Sequence, residues 1–408
     1  MILVIVEIVK VILFLMVVLS VGGLLSWVER RMSGFIQDRL GPNRANVVLF
    51  GRNITIGGLL HPVADGLKML FKEDFVPEGA HRILFVLAPF LAMLFVLMGF
   101  ASIPFAQSLN INGYEVRFFF FDFDVGMLFI FAVSSLSIFG AILGGYSSNN
   151  KWALLGGVRA AAQLISYEVV IGLGILSIVI VYNSLSVVEI LQKQDSILFG
   201  FLPNWGIFIQ PLSFILIFVA LLAEGKRAPF DIPEGESEII GYFVEYSGLK
   251  FAMFFLSEFI EIIFIAAIIT LLFLGGYHLP YLSSEDYINA VPFVFLVFGI
   301  LPLSLSYFAF RYHKSVSFFL ILLFIGIASL IVSITSLFVS NETLWAEILV
   351  RISQMLVFSI KTGLVTFLLF SIRWTFPRYR FDQLLKISWE KLVPISILNI
   401  LLTGFLLL

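Results

Sequence analysis

The stretch IFIQPLSFILIFVALLAEGKRAPFDIPEGESE, residues 207–238, passes from an uncharged apolar run straight into a cluster of charge. Ile207 to Ala223 carries no Asp, Glu, Lys or Arg. Glu224 to Glu238 then packs five carboxylates (Glu224, Asp231, Glu234, Glu236, Glu238) and two cations (Lys226, Arg227) into a chain that is only 13% charged. Holding one charge against hydrocarbon costs roughly 3 kcal/mol or more. A cluster whose first acid stands at a membrane edge therefore reads as functional, with a solvated loop as the plainer alternative.

The rest of the chain has the same apolar character. Of its 408 residues, 60% are hydrophobic, and the mean hydropathy is +1.05. A soluble domain carries about 25% charged residues. Many windows of about 20 residues are almost uncharged and long enough to span a bilayer. No strand-like alternation dominates, so a closed barrel is excluded. The fold class is all-α: a polytopic transmembrane helical bundle, read as one integral membrane domain over 1–408.

Ten spans are predicted: 2–27, 82–105, 125–146, 161–182, 206–223, 249–274, 291–310, 317–340, 346–371 and 389–408. Loops after odd-numbered spans hold eight, two, three, two and five Lys or Arg, 20 of the 25, whereas loops after even-numbered spans hold only Arg117 and Lys193. By the positive-inside rule both termini lie outside and the odd loops are cytoplasmic. Those loops include a first loop at 28–81, an acidic loop at 224–248 and an Arg-rich loop at 372–388. The first span is too long for a signal-peptide core and reads as retained. Within the first loop, Val63, Leu67 and Leu70 share one helical face and Asp65, Lys68 and Lys72 the other. Pro62 suits a first turn, so a short amphipathic interfacial helix is predicted.

The chemistry on offer is narrow. There is no cysteine, which excludes a Cys-ligated iron–sulfur cluster, a thiolate zinc site or a disulfide within the chain. His61, His81, His278 and His313 show no i,i+4 pair, so no metal site is predicted. No basic patch points to nucleic acid, and no nucleophile–base motif, phosphate loop or internal repeat is present. What remains is ionisable residues at membrane depth. Glu168 stands roughly 10 Å into its span, near Gln163, Ser166 and Tyr167, where a carboxyl group can exchange protons or simply hydrogen-bond a neighbouring helix. Glu258 and Glu261, three apart, share a face that must look at protein. Lys361 sits mid-span and calls for a carboxylate or a water-filled cavity. Glu7 and Lys10 are near enough to the surface to snorkel. The titrations of Glu234, Glu236 and Glu238 couple, with Arg227 as their nearest counter-ion. Together with Glu224 and Glu168 these acids read as a chain of proton-exchanging groups leading from a loop into the bilayer.

Six ordered segments carry a resemblance: ERRMSGFIQDRLGPNR (29–44), HPVADGLKMLFKEDFVP (61–77), GGYSSNNKWALLGGVRAAAQLISYE (144–168), AEGKRAPFDIPEGESE (223–238), EYSGLKFAMFFLSEF (245–259) and RWTFPRYRFDQLLKISWE (373–390). They resemble the membrane subunit designated H in bacterial NADH–quinone oxidoreductase and 1 in mitochondrial NADH dehydrogenase (complex I). The resemblance implies a core component of a proton-pumping enzyme that shapes the entrance of the quinone chamber. By motif, Arg30, Arg39, Asp65, Lys68, Phe230 and Arg378 belong to that chamber, and Asp65 and Arg39 are expected to face a common cavity. Glu168, Glu224, Asp231, Glu234, Glu236 and Glu238 form the acidic link to the proton-translocating arm. The resemblance also implies quinone as substrate, with NADH, FMN and iron–sulfur clusters handled by partner subunits and none bound by this chain. The implied location is the bacterial cytoplasmic membrane, or else the mitochondrial inner membrane.

Three departures stand out. Six residues separate Glu238 from Glu245 where seven are expected, and Glu261 is acidic where a neutral residue is expected. The segment after Gly276 is long, consistent with a family core of eight spans plus an inserted hairpin within 281–345. The equivalent subunit of a membrane-bound hydrogenase or of a ferredoxin- or F420-linked dehydrogenase is the nearest rival. RLGPN (39–43) and PFD (229–231) favour the quinone-linked enzyme. A stand-alone ion transporter would show internal repeats or a broken helix near the midplane, and the sequence shows neither.

Overall fold

Eight helices among the described residues are long and apolar enough to cross a membrane, and two shorter apolar helices, Pro211–Glu224 and Leu322–Ser336, bring the number to ten. The computed structural model describes residues 2–45, 47–49, 52–54, 57–111, 114–121, 123–198, 200–233, 235, 241–282, 287–308, 316–337 and 344–407. In chain order the helices are α1 (Ile2–Ile36), α2 (His61–Phe71), α3 (Arg82–Gly99), α4 (Gly126–Leu136), α5 (Ile138–Ser147), α6 (Lys151–Tyr182), α7 (Val187–Gln194), α8 (Gly206–Ile209), α9 (Pro211–Glu224), α10 (Gly248–Phe273), α11 (Tyr287–Phe308), α12 (Val316–Ser336), α13 (Leu344–Thr375), α14 (Phe381–Lys386) and α15 (Val393–Leu407). A π-helical turn at Ile387–Leu392 joins the last two. Three short antiparallel hairpins, of which Val47–Leu49 with Arg52–Ile54 is the first, are confined to loops.

The predicted alternation of ends is visible in what the loops touch. At one end, Arg30 meets Asp65, Lys250 meets Asp74, Tyr379 donates its N–H to the Pro229 carbonyl, and Asn150 Nδ2 donates to Glu245 Oε1 at 2.6 Å. These contacts gather the first, acidic and Arg-rich loops, hereafter the loop end. At the other end, Lys10 Nζ donates to the Arg117 and Phe119 carbonyls, Gln107 N–H donates to Gln354 Oε1, and Met127 N–H donates to the Leu185 carbonyl.

Helix α10 is the axis of the bundle: 83% of its apolar window is buried, against 17% for α1. It packs on α1, α3 and α13, which accounts for an all-round apolar sequence. Between membrane helices there is little hydrophobic drive, so close approach depends on small residues. A Cβ on Gly140 would stand 2.6 Å from Ala92 Cβ, and one on Gly145 only 2.4 Å from the Ala153 carbonyl oxygen. These glycines bring α5 against α3 and α6. The hairpin α11/α12 packs on itself and, through α11, on α13. Its predicted basic turn, with Arg311 and Lys314, lies outside the described residues.

Several expectations are corrected. The first span does not end at 27, because α1 runs unbroken to Ile36. Likewise α6 starts at Lys151 rather than 161. The third span runs from Gly126 to Ser147 through Ser137, whose backbone keeps right-handed helical angles (φ -60, ψ -26). Ser134 Oγ donates to the Phe131 carbonyl and Ser137 N–H to the Ser134 carbonyl, a local tightening of the turn. Serine hydroxyls compete with the helical ladder for carbonyls.

Candidate functional site

At the loop end, α1 and α2 are tied together by Arg30 Nη1 and Asp65 Oδ2, 2.7 Å apart. Helix α2 has Pro62 in its first turn, as predicted, and buries none of its residues. Val63, Leu67 and Leu70 are exposed, and Lys68 stands exposed one turn beyond Asp65. Arg39 is elsewhere, folded back on Ser33 Oγ and Gln37 Oε1. Asp65 and Arg39 thus take different partners at the loop end. Asp65 is instead committed to Arg30, because the two rise from helices that pack side by side.

The Arg-rich loop closes over the start of the acidic loop. Arg378 Nη2 donates to Asp231 Oδ2 at 2.6 Å, and Phe230 is wedged between Tyr167 and Tyr379, with ring centroids 5.5 and 5.6 Å away. Gln163 Nε2 donates to the carbonyls of Ala223 and Phe230, both at 2.8 Å, which ties this loop to α6. Burial pushes the Asp231 carboxyl above its ordinary value of 3.8, although Arg378 and Arg227 pull it down. A raised folded-state value favours the protonated form, so its contribution is full at acid pH and fades as pH rises above the ordinary carboxylate range. Asp231→Asn should therefore flatten the fall in thermal unfolding midpoint between about pH 4 and neutrality. An unchanged pH profile in the variant would count against this assignment.

Near Ser137, the hydroxyl of Ser135 meets Glu168 Oε1, and that of Ser134 is within hydrogen-bonding reach of Glu224. Three serines, Leu164, Glu168 and Glu224 line one cavity of ≈ 10 Å³, about the room of a single water. Glu224 is also in electrostatic reach of Glu261 and Lys226. Lys226 Nζ lies 3.2 Å from Glu261 Oε2. Arg227 Nη1 is 3.3 Å from Glu29 Oε2, and its Nη2 is 3.8 Å from Glu258 Oε2. Its guanidinium covers the face of Phe259. Glu29 also binds Arg373, and Tyr242 donates its hydroxyl to Glu258 Oε1. Glu168 and Glu224 are thus brought together, and Asp231 lies beyond Arg227. Glu234, Glu236 and Glu238 lie outside the described residues.

Among the described residues, Arg227 serves Glu29 and Glu258; the acids expected to face it, Glu234, Glu236 and Glu238, lie outside them. Among the described residues Lys361 pairs with no carboxylate: its ammonium donates to the carbonyls of Leu274, Gly276 and His278 at 2.7, 3.0 and 2.5 Å and stands 4.3 Å from the Trp205 ring centroid. Those carbonyls follow the C-terminus of α10, where helical carbonyls lack partners and a cation is favoured. Glu29 is a buried acid, paired with Arg227 and Arg373, that the sequence alone does not set apart from a topology-setting Arg loop. Its one signal in the sequence is an acid placed directly after an apolar run, the same pattern that singles out Glu224.

The fold is that of a polytopic helical membrane protein with a file of buried and half-buried acids between its helices. The profile of the NADH dehydrogenase family matches residues 8–334 and 314–404 of this chain. Relatives named as H subunit 1 of NADH-quinone oxidoreductase, from Solibacter usitatus and Geobacter metallireducens, are 37% and 36% identical, over 98% of this chain and 96% and 95% of theirs. The H subunit of NADH-quinone oxidoreductase from Thermomicrobium roseum is 35% identical over 95% of this chain and 92% of its own. The chain belongs to this NADH dehydrogenase family.

Proposed function

We propose that this chain is the core H-type membrane subunit of a proton-translocating NADH:quinone oxidoreductase. It forms the entrance of the quinone chamber and the acidic link from that chamber to the proton-translocating arm. The observation that carries the reading is the file of acids Glu168, Glu224, Glu261 and Glu258, joined by serine hydroxyls, Lys226 and Arg227. Charges this far from water are retained where they have work to do. Quinone is the substrate. NADH, FMN and the iron–sulfur clusters belong to partner subunits, since the chain has no cysteine to ligate a cluster. Its setting is a bacterial cytoplasmic membrane, in keeping with the bacterial sources of the relatives.

Within this reading, Arg30–Asp65 and Phe230 with Arg378–Asp231 form two walls at the loop end, with Lys68 and Arg39 at the rim. The acidic loop, from Asp231 through Glu234, Glu236 and Glu238, passes the quinone-linked change to Glu224 and Glu168. Glu168→Gln and Glu224→Gln should each lower protons pumped per electron at least twofold. Rates are normalised to NADH oxidation by an artificial acceptor, which draws electrons from the partner subunits. Wild-type ratios in both variants would end the relay assignment.

A further inference from the structure

Charges around the acid file can be set against one another, element by element, among the described residues. Glu29 of α1 and Glu258 of α10 face Arg227 and Arg373 of α13, and Asp231 faces Arg378. Those groups balance. Glu168 of α6, Glu224 of α9 and Glu261 of α10 remain, with Lys226 as the cation beside them. Here three acids stand around one cation, an excess of negative charge that the balanced clusters do not have and that apolar surroundings oppose.

Lys226 is the pivot. It is 6% exposed and Glu261 is 4% exposed. Its backbone stands at φ 50, in the left-handed region, which costs a side-chain-bearing residue energy and persists only where the surroundings hold it. Lys226, two residues after Glu224 of α9, pairs with Glu261 of α10 at 3.2 Å and acts electrostatically on Glu224.

We propose that Glu261 is a further proton-holding residue of the acid file, with the Lys226 ammonium shared between Glu261 and Glu224; this rests on the proton-relay reading above. When Glu224 gives up its proton, Lys226 compensates the new carboxylate and Glu261 takes a proton. One carboxyl O–H breaks and one forms, Lys226 stays an ammonium, and the total charge of the trio is unchanged. The transfer thus brings no net charge into the apolar interior, which keeps its desolvation cost low.

The test uses the intact complex reconstituted in vesicles, with rates normalised to NADH oxidation by the artificial acceptor. Glu261→Gln should lower protons pumped per electron at least twofold and remove one carboxylic C=O band from the infrared difference spectrum of quinone reduction, while Glu261→Asp should keep both. If Glu261→Gln does not assemble, Lys226→Met with Glu261→Gln removes the cation and the proton holder together and leaves no orphan charge. The same loss is expected from that pair. A wild-type ratio and an intact band in whichever of these variants assembles overturns the proposal. If Glu224→Gln also pumps normally, the relay reading itself has failed. If Glu224→Gln is impaired while the Glu261 variants are not, Glu261 holds no proton of the relay, and the proposal fails while the relay reading stands.

Discussion

Replacing Glu29 by alanine should destabilise the protein by about 3–5 kcal/mol, the usual cost of removing one partner from a buried ion pair. Glu29 is 6% exposed and faces two cations, Arg227 and Arg373. Without it, Arg227 keeps only the longer contact to Glu258, and Arg373 loses its buried acid. The penalty is the uncompensated charge, so it should shrink when a cation is also removed. Glu29→Ala with Arg373→Met leaves Arg227 against Glu258 and should recover about half of the loss. Thermal unfolding of the detergent-solubilised complex reads both variants. A single variant as stable as wild type, or a double variant worse than the single, would show that the triad does not hold α1 to α13.

The second large effect is expected at Gly145. Its missing Cβ would meet the Ala153 carbonyl oxygen at 2.4 Å and Gly157 Cα at 3.3 Å. Both are backbone atoms of α6, which cannot swing aside as a side chain tip can. Overpacking usually costs about 1–3 kcal/mol, and a clash with a rigid helix should reach the upper end or exceed it. Gly145→Val should push α5 off α6 and part Ser135 from Glu168, giving little assembled complex and a lowered proton-to-electron ratio in what assembles. Gly363→Ala on α13 is the matched control, because nothing lies within 4 Å of a Cβ added there. Normal assembly and pumping by Gly145→Val would mean that this approach is not required.

Local signals carried much of the architecture. Bilayer thickness dictates span length, and the cost of moving Lys or Arg across it sorts loops by side. Both act on contiguous sequence, and so ten apolar helices and their alternating ends were legible. The period of 3.6 residues likewise placed Glu258 and Glu261 on one face and gave α2 its two faces. Helix α7 was missed because eight residues offer too little periodicity.

Which charge meets which was not legible. Glu29 and Arg373 are 344 positions apart, and Lys361 is held by carbonyls 83 to 87 positions away. A carbonyl at a helix end is a ligand that every sequence contains and none advertises. By itself the sequence determined the membrane helices, their order and which loops share an end, because span length and charge are properties of consecutive residues. Tertiary structure decided the ion pairs and which acids stand together, because a buried charge takes its partner from whichever helix packing brings beside it.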